Sequence, residues 1–185
     1  MRAFISATIA FAFASAAASA AGSNLIKNGG FDAGPQPADY QMVAKGSTAI
    51  PGWIVTMGTV DIIGPNWHDA DGGTSSIDMD GTPGPGGIAQ SFATTKGAKY
   101  AVSFALASNP QCGPTIKRLM VTAGPAKQLY AFDSSHVSGA HMGWQLKSFS
   151  FKAGASRTTL TFTSLDPSGS LCGPAIDAVR VSKGK

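Results

Sequence analysis

The sequence predicts a single all-β domain of the sandwich class. Charged residues make up 13% of the chain, against about 25% in an ordinary soluble domain. All ten acidic residues are aspartate, which favours turns and caps, whereas the absent glutamate favours helices. Short runs of β-forming residues alternate with clusters of Gly, Pro, Asn, Asp and Ser, a pattern typical of sandwiches.

The first twenty residues have the organisation of a secretory signal peptide. Arg2 precedes an apolar run from Ala3 to Ala18, and Ala18-Ser-Ala20 is a small-residue cleavage pattern. A membrane helix is the alternative, but the run is short for a span and consists mostly of weakly hydrophobic alanine. We expect residues 1–20 to be removed and residues 21–185 to form one domain, without a membrane anchor, secreted to the extracellular space, the periplasm or the cell wall.

Ten strands are expected in the mature chain. Large residues alternate with small ones from Tyr100 to Leu106, so this strand is expected to line the core. The apolar parity changes after Leu146, which predicts a β-bulge, and residues 80–87 are expected to form a flexible connection with nothing to bury. The expected strands are Asn24–Lys27, Gly52–Ile63, Ser75–Met79, Gly87–Ala93, Lys99–Ala107, Ile116–Ala123, Gln128–Phe132, Trp144–Phe151, Thr158–Ser164 and Ala175–Ser182.

The two cysteines, Cys112 and Cys172, open the same motif, Cys-Gly-Pro followed by β-forming residues. The repetition predicts two strands that begin side by side at one corner, with a disulfide between the cysteines. Two free thiols are the alternative, but export to an oxidising compartment favours the disulfide. Such a bridge closes a loop of about 60 residues and stabilises the fold by about 4 kcal/mol in the chain-entropy model.

The charge pattern argues against nucleic-acid binding. The formal net charge of +4 falls to +3 without Arg2, and the remaining cations are scattered rather than clustered. A weak attraction to acidic polysaccharide is the one electrostatic expectation.

Catalytic motifs are missing from the sequence. There is no Gly-X-Ser-X-Gly elbow, and no His-Glu-X-X-His helix exists without glutamate. Asp61, Asp69, Asp71, Asp78 and Asp80 offer the two carboxylates of a glycosidase, but Asp78 and Asp80 fall on one face of a short strand, as on a solvent-facing surface. We expect a protein that is not an enzyme.

Sugar recognition uses flat aromatic faces surrounded by amides, carboxylates and hydroxyls. Trp67 lies in a polar turn, so we expect its indole to contact a sugar; folding of this side chain onto the end of the sandwich is the alternative. Trp53 follows Pro-Gly at the start of an apolar run and is expected in the core. The candidate ligand-binding residues are Trp67, His68, Asp69, Asp71, Tyr40 and Trp144, with Tyr130 as a further aromatic candidate.

The order of motifs in the mature chain resembles one family. The chain resembles the domain-of-unknown-function 642 family of plant cell-wall proteins, and more closely its bacterial branch, the choice-of-anchor C proteins. The similarity extends from Asn24 to Val181. We expect one domain where plant members have two, and no C-terminal anchor of the kind that many bacterial members carry. The motifs are residues 24–32, 49–55, 60–64, 67–73, 76–81, 87–92, 142–144 and 172–179.

The resemblance implies a galactose-binding-like jelly roll, the architecture of many carbohydrate-binding modules. It implies binding of wall polysaccharide without cleavage, or alternatively a structural component that engages wall-modifying proteins. It also implies a structural calcium ion held by Asp32 and Asp177, with main-chain oxygens from the segment that starts at Asn28. The alternative is that Asp32 caps a turn and Asp177 accepts hydrogen bonds from main-chain amides.

Overall fold

The computed structural model describes residues 22–67 and 70–184. The signal peptide expected over residues 1–20 lies outside the described residues. Within the described ranges no helix is long and apolar enough to cross a membrane. Thirteen strands form there. They are β1 Tyr40–Ala44, β2 Ile54–Met57, β3 Thr59–Ile63, β4 Ser76–Asp78, β5 Asp80–Gly81, β6 Gly84–Pro85, β7 Gly87–Ala93, β8 Lys99–Ser108, β9 Ile116–Ala123, β10 Ala126–Asp133, β11 Gln145–Lys152, β12 Arg157–Ser164 and β13 Pro174–Lys183.

The strands form two facing antiparallel sheets. A six-stranded sheet has the order β1-β3-β4-β13-β8-β11, a five-stranded sheet has the order β10-β9-β12-β7-β2, and β5 and β6 form a short ribbon. The core lies between the sheets because alternate apolar residues of each strand point inward, as Phe104 on β8 and Phe162 on β12 do, with ring centroids 5.1 Å apart. Trp53 is buried beside Phe31 and Phe162, as predicted.

The long strand predicted over residues 52–63 is wrong, because the chain changes sheets in the middle of it. Strand β2 belongs to the five-stranded sheet and β3 to the six-stranded sheet. Gly58 lies between them with φ of +48°, and a Cβ at this position would collide with the main-chain oxygen of Pro85. The crossing therefore depends on a residue without a side chain.

Two further predictions of local structure are wrong. The connection predicted over residues 80–87 contains the ribbon of β5 and β6, and Asp80 is buried rather than solvated. Strand β11 pairs with β8 without a register shift around Leu146, whose side chain is 78% exposed. Register shifts occur elsewhere, and one of them lies in β13 between Asp177 and Arg180, where Ala178 has a φ of +51°.

The segment Asn24–Lys27 is not a strand, but it is attached to β13. The main-chain amide of Leu25 donates to the oxygen of Val181 over 2.8 Å. The side chain of Asn24 donates to the oxygen of Val179 and accepts from the amide of Val181, over 3.1 and 3.0 Å. The N-terminal segment thus reaches the irregular part of β13.

Candidate functional site

Two of the predicted aromatic residues line one cavity of about 170 Å³. We call it the Tyr40 cavity. The side chain of Tyr40 is 57% exposed, whereas that of Trp67 is 6% exposed and joins the core cluster. The expectation of a solvent-presented indole at Trp67 is therefore corrected: its side chain folds onto the sandwich and forms a wall. The lining residues are Asp39, Tyr40, Asp61, Ile63, Asn66, Trp67, Asn109, Gln111 and Gly139.

Strand pairing brings a carboxyl group next to the exposed ring. Tyr40 on β1 is opposite Ile63 on β3, and Met42 is opposite Asp61. Tyr40 and Asp61 are therefore diagonal neighbours on one face of the sheet, at a separation of about 7–8 Å between such positions. This is the outer face, because the alternate residues Val43 and Val60 belong to the buried core.

One oxygen of the Asp61 carboxyl group is buried and unpaired in the part of the chain that the structure describes. The side chain is 8% exposed, and its buried Oδ1 has no hydrogen-bond partner among the described residues. On one side this oxygen faces the backbone of Gly81, where an added Cβ would lie 2.9 Å away. Burial raises the pKa of Asp61 to about 6. One oxygen of this carboxyl group has thus lost water without gaining a donor.

The amide side chains of the cavity are held by neighbouring groups. The side-chain nitrogen of Asn66 donates to Asp39 Oδ1 over 2.7 Å. Asn109 donates to Asp78 Oδ2 over 2.7 Å, and its Oδ1 accepts from the amide of Gln111 over 3.0 Å. These contacts fix the orientation of the polar wall before any ligand is present.

The other predicted ligand residues do not join this cavity. Trp144 is half-buried and packs against the core, and the ring of Tyr130 packs edge-on against Phe104 at 5.3 Å. Asp71 lies away from the cavity, beside Asp32. His68 and Asp69 lie outside the described residues.

A larger cavity of about 420 Å³ has a different character. Its wall includes two cations, Lys27 and Arg157, and its one aromatic residue, Phe92, is buried. Gln90 is already engaged there, because its side chain accepts from the amide of Lys27 over 2.7 Å and donates to its oxygen over 2.9 Å.

Two carboxylates converge on a pair of glycines at another point. A Cβ at Gly30 would collide with Asp71 Oδ2 and lie 3.2 Å from Asp32 Oδ2, and a Cβ at Gly73 would collide with the Asp32 carboxylate. Asp32 Oδ1 accepts from the amide of Thr74 over 2.6 Å, and Asp71 Oδ1 accepts from the amide of Gly73 over 3.0 Å. Asp71 was predicted to contact a sugar, but the fold places it beside Asp32.

Asp177 and Asn28 are engaged with the main chain. Asp177 is fully buried, and its two oxygens accept from the amides of Ala70, over 3.0 Å, and Ala178, over 2.6 Å. Asn28 Oδ1 accepts from the amide of Ala33, and its main-chain oxygen accepts from the indole of Trp53. These contacts match the alternative that Asp177 accepts hydrogen bonds from main-chain amides. Asn28 stabilises the turn that contains it.

No group of three or more His, Cys, Asp or Glu side chains that could hold a metal ion occurs in residues 22–67 and 70–184. Any metal site in this part of the chain therefore needs main-chain or hydroxyl oxygens in addition to carboxylates.

The predicted disulfide is confirmed: Cys112 and Cys172 are bonded, with Cα atoms 5.5 Å apart. The strands that follow them, β9 and β13, lie in different sheets, so the bridge joins the two layers at one corner. Lys117 lies beneath it, fully buried, and its ammonium group donates to the main-chain oxygens of both cysteines.

Asp78 and Asp80 are buried near this corner, so the prediction of a solvent face is wrong. Asp78 accepts from the amides of Asp80 and Gly173 and from Asn109, yet burial raises its pKa to about 8. Burial also raises the pKa of Asp80, whose oxygens accept no hydrogen bond of ordinary geometry from the described residues, and raises the pKa of Asp166 to about 6. Burial lowers the pKa of Lys117, and the carboxylates of Asp166, Asp78 and Asp80 oppose this shift, so Lys117 is a cation placed beside these acids.

The motif order pointed to one family, and comparison of the whole chain with family models settles the membership. A model described as "Protein of unknown function (DUF642)" matches residues 24–182. The chain belongs to the DUF642 family.

Relatives in this family extend beyond the chain. Protein TEEBE of Arabidopsis thaliana is 32% identical over 179 residues, covering 86% of this chain and 46% of that protein. The A. thaliana Protein DUF642 L-GALACTONO-1,4-LACTONE-RESPONSIVE GENE 1 is 31% identical over 177 residues, with 86% and 46% covered. Halomucin of Haloquadratum walsbyi is 30% identical over 163 residues, with 85% and 2% covered. The chain spans less than half the length of each of these relatives.

Solved structures show that this DUF642 chain shares its fold with carbohydrate-binding modules. The structure described as "CBM4 structure and function" has a TM-score of 0.50 at 18% identity and covers 86% of this chain and 99% of that one. "Family 16 Carbohydrate Binding Module-2" has a TM-score of 0.50 at 16% identity, covering 85% and 99%. The CBM22-1 xylan-binding domain of Paenibacillus barcinonensis Xyn10C has a TM-score of 0.50 at 14% identity, and the match covers 91% of this chain and 99% of that one. The prediction of an all-β jelly-roll sandwich is confirmed.

Proposed function

We propose that this protein binds a glycan through the Tyr40 cavity. The observation that carries the proposal is that an exposed aromatic ring, Tyr40, and a buried indole, Trp67, flank the same polar cavity. A tyrosine ring offers an apolar face to a sugar and a hydroxyl to its rim. Asn66, Asn109 and Gln111 supply amides around it, and such convergent polar groups give orientation.

The larger cavity supports glycan binding less well. Lys27 and Arg157 give it positive charge, but Phe92 is buried and offers no ring face to a ligand. Surface cations alone attract any anion and select no sugar.

The proposed role is binding without catalysis, outside the cell. The likeness to carbohydrate-binding modules favours binding, and the disulfide favours an oxidising compartment, in agreement with the predicted signal peptide. A hydrolase needs two carboxyl groups that face each other across the scissile bond. Of the acids buried near the disulfide, Asp78 is already held by three donors.

Calcium is proposed as a structural ion at Asp32 and Asp71. The space that a Cβ at Gly30 would fill lies against Oδ2 of both carboxylates, and two carboxylates with main-chain oxygens make a donor set that suits calcium. Asp177 would stabilise the neighbouring main chain rather than coordinate the ion, because its side-chain oxygens already accept hydrogen bonds from two main-chain amides. The ion would fix the N-terminal turn against β13.

A protein-binding role is the second candidate, and one surface row favours it. Strand pairing places Leu129, Met120, Thr163, Gly87 and Met57 in a line across the five-stranded sheet. Leu129 and Met57 are exposed at the two ends of this row, and Met120 is partly exposed. Exposed apolar side chains on an outer face are a feature of contact surfaces.

Retention on insoluble polysaccharides tests the proposed function. The purified mature protein is expected to be retained on at least one neutral or charged wall polysaccharide and to release no reducing sugar from it. Release of reducing sugar would contradict the non-catalytic role, and absence of retention on every glycan would leave the protein-binding candidate as the better account.

A further inference from the structure

We infer that the Tyr40 cavity takes a sugar unit that carries a free ammonium group, with Asp61 as the counter-ion. The inference rests on the proposed function and names the class of sugar that the site would select. A polysaccharide of glucosamine units is a ligand of this chemistry.

Asp61 brings a carboxyl group to the wall of the cavity. Its side chain is more than nine-tenths buried, it lines the cavity, and its Oδ1 has no partner in residues 22–67 and 70–184. A sugar hydroxyl would supply one hydrogen bond but leave a buried charge uncompensated. An ammonium group supplies the hydrogen bond and the opposite charge together, and such charge-assisted bonds are about twice as strong as neutral ones.

Tyr40 lines the cavity together with Asp61. Because Tyr40 and Asp61 are diagonal neighbours on the outer face, a group about one sugar ring wide can contact both. A cation between them would meet the carboxylate on one side and the negative face of an aromatic ring on the other. The exposed ring of Tyr40 and the wall formed by Trp67 both suit this arrangement.

The charged residues described around the cavity are acidic. Among its described lining residues Asp39 and Asp61 are acidic and none is Lys or Arg. The protein as a whole carries a formal net charge of +4, so general attraction would favour an anionic glycan. The cavity has the opposite preference, which makes it a selective site within a basic molecule.

The size of the cavity limits what enters. Its volume of about 170 Å³ lies below the range of about 300–1,000 Å³ that holds a drug-sized ligand. One sugar unit of a chain would occupy the cavity, and the neighbouring units would lie on the surface around Tyr40.

Three oligosaccharides with the same backbone test the inference. Calorimetric titration at pH 7 compares β-1,4-linked oligomers of glucosamine, N-acetylglucosamine and glucose of equal length. The glucosamine oligomer is expected to bind about tenfold or more tightly than the other two. Asp61→Asn should abolish this preference. Asp133→Asn is the matched control, because it removes one exposed carboxylate from the end of β10 and should leave the preference unchanged.

The outcomes separate the two claims. Equal or tighter binding of the glucose or acetylated oligomer overturns the ammonium inference and leaves the proposed function standing. Failure of every oligosaccharide and polysaccharide to bind overturns both. The preference among the three oligomers is measured on the wild-type protein, so the inference stays testable even if Asp61→Asn folds poorly.

Discussion

The ammonium group of Lys117 donates a hydrogen bond to the main-chain oxygen of Cys172, the last residue of the disulfide loop. A second bond, 2.8 Å long, runs to the oxygen of Cys112. One buried cation therefore binds both ends of the bridge that joins the two sheets. The two Cys-Gly-Pro motifs place Lys117 and Asp177 at equivalent positions, and both are fully buried.

Replacement of Lys117 should destabilise the fold although the disulfide stays intact. Lys117→Met removes the ammonium group that donates hydrogen bonds to two main-chain oxygens. It also removes the positive charge beside Asp80 and Asp166. Loss of one partner from a buried charged network costs about 3–5 kcal/mol. Denaturant unfolding under non-reducing conditions measures the change. Lys127→Met on β10 is the matched control, since that side chain is exposed, and an equal effect of the two substitutions would contradict the role given to Lys117.

The buried acids predict an unusual dependence of stability on pH. Burial raises the pKa of Asp61 and Asp166 to about 6 and that of Asp78 to about 8. The folded state therefore binds more protons than the unfolded state between about pH 4 and pH 8. The contribution of these carboxyl groups to the free energy of unfolding is complete below about pH 4. It is lost as the pH rises through their pKa values in the folded state, so stability should fall from pH 4 to pH 8.

Asp61→Asn isolates one part of that dependence. The variant should flatten the slope between about pH 4 and pH 6 and gain about 1–2 kcal/mol at pH 7 relative to the wild type, allowing for solvent at the cavity mouth. Denaturant unfolding at several pH values gives the slope. Hydrogen bonds from Ser135 lower the pKa of Asp133, so Asp133→Asn should leave the slope above pH 4 unchanged. A wild-type stability that rises from pH 4 to pH 8 would refute the account.

Gly58→Ala tests the crossing between the sheets. The φ of +48° is costly for alanine, and its Cβ would collide with the oxygen of Pro85. The expected loss is about 2–4 kcal/mol, combining backbone strain with a steric shift. Gly46→Ala has a positive φ of +90° but nothing within 4 Å of its Cβ, so it should cost less. Thermal unfolding that ranks the two variants equally would show that the collision is relieved at no cost.

Calcium should stabilise the wild-type protein through Asp32 and Asp71. At a calcium concentration of 100 times its dissociation constant the gain is about 2.7 kcal/mol, visible as a higher melting temperature that a chelator reverses. Magnesium should give less, because it needs a tighter octahedral shell. Asp71→Asn should remove the calcium response, whereas Asp133→Asn should keep it. A melting temperature indifferent to calcium in the wild type would rule the site out.

The sequence was sufficient for the strands whose alternation is uninterrupted. Strands Gly87–Ala93 and Ile116–Ala123 have the predicted bounds. The sequence was insufficient at Gly58. A glycine between two β-forming runs has the same sequence pattern whether it lies inside one strand or at a corner between two strands. Asp78 and Asp80 were predicted on one solvent-facing side of a short strand, but they lie in two separate strands, β4 and β5. Periodicity also does not tell whether another segment covers a face. The side chain of Asn109, distant in sequence, reaches Asp78 there.

The candidate site was predicted in part. Tyr40 and Trp67 were both chosen as aromatic residues, Trp67 because it lies in a polar turn, and the fold brings them to one cavity. The predicted exposure of Trp67 was wrong, because a large apolar ring gains more from burial than from solvent contact. Asp61 was grouped with other acids without a reason to single it out. Only the strand register, which pairs it opposite Met42, places it beside Tyr40.

The most direct test of the proposed function is the affinity of Tyr40→Ala for a retained polysaccharide. Leu129→Ala is the matched control, because Leu129 is 59% exposed and Tyr40 57% exposed, on opposite sheets. Removal of a central aromatic contact costs more than about 1.4 kcal/mol, or about tenfold in affinity. We expect Tyr40→Ala to lose at least that much and Leu129→Ala to bind like the wild type. Equal binding of Tyr40→Ala and the wild type would contradict a glycan site at this cavity.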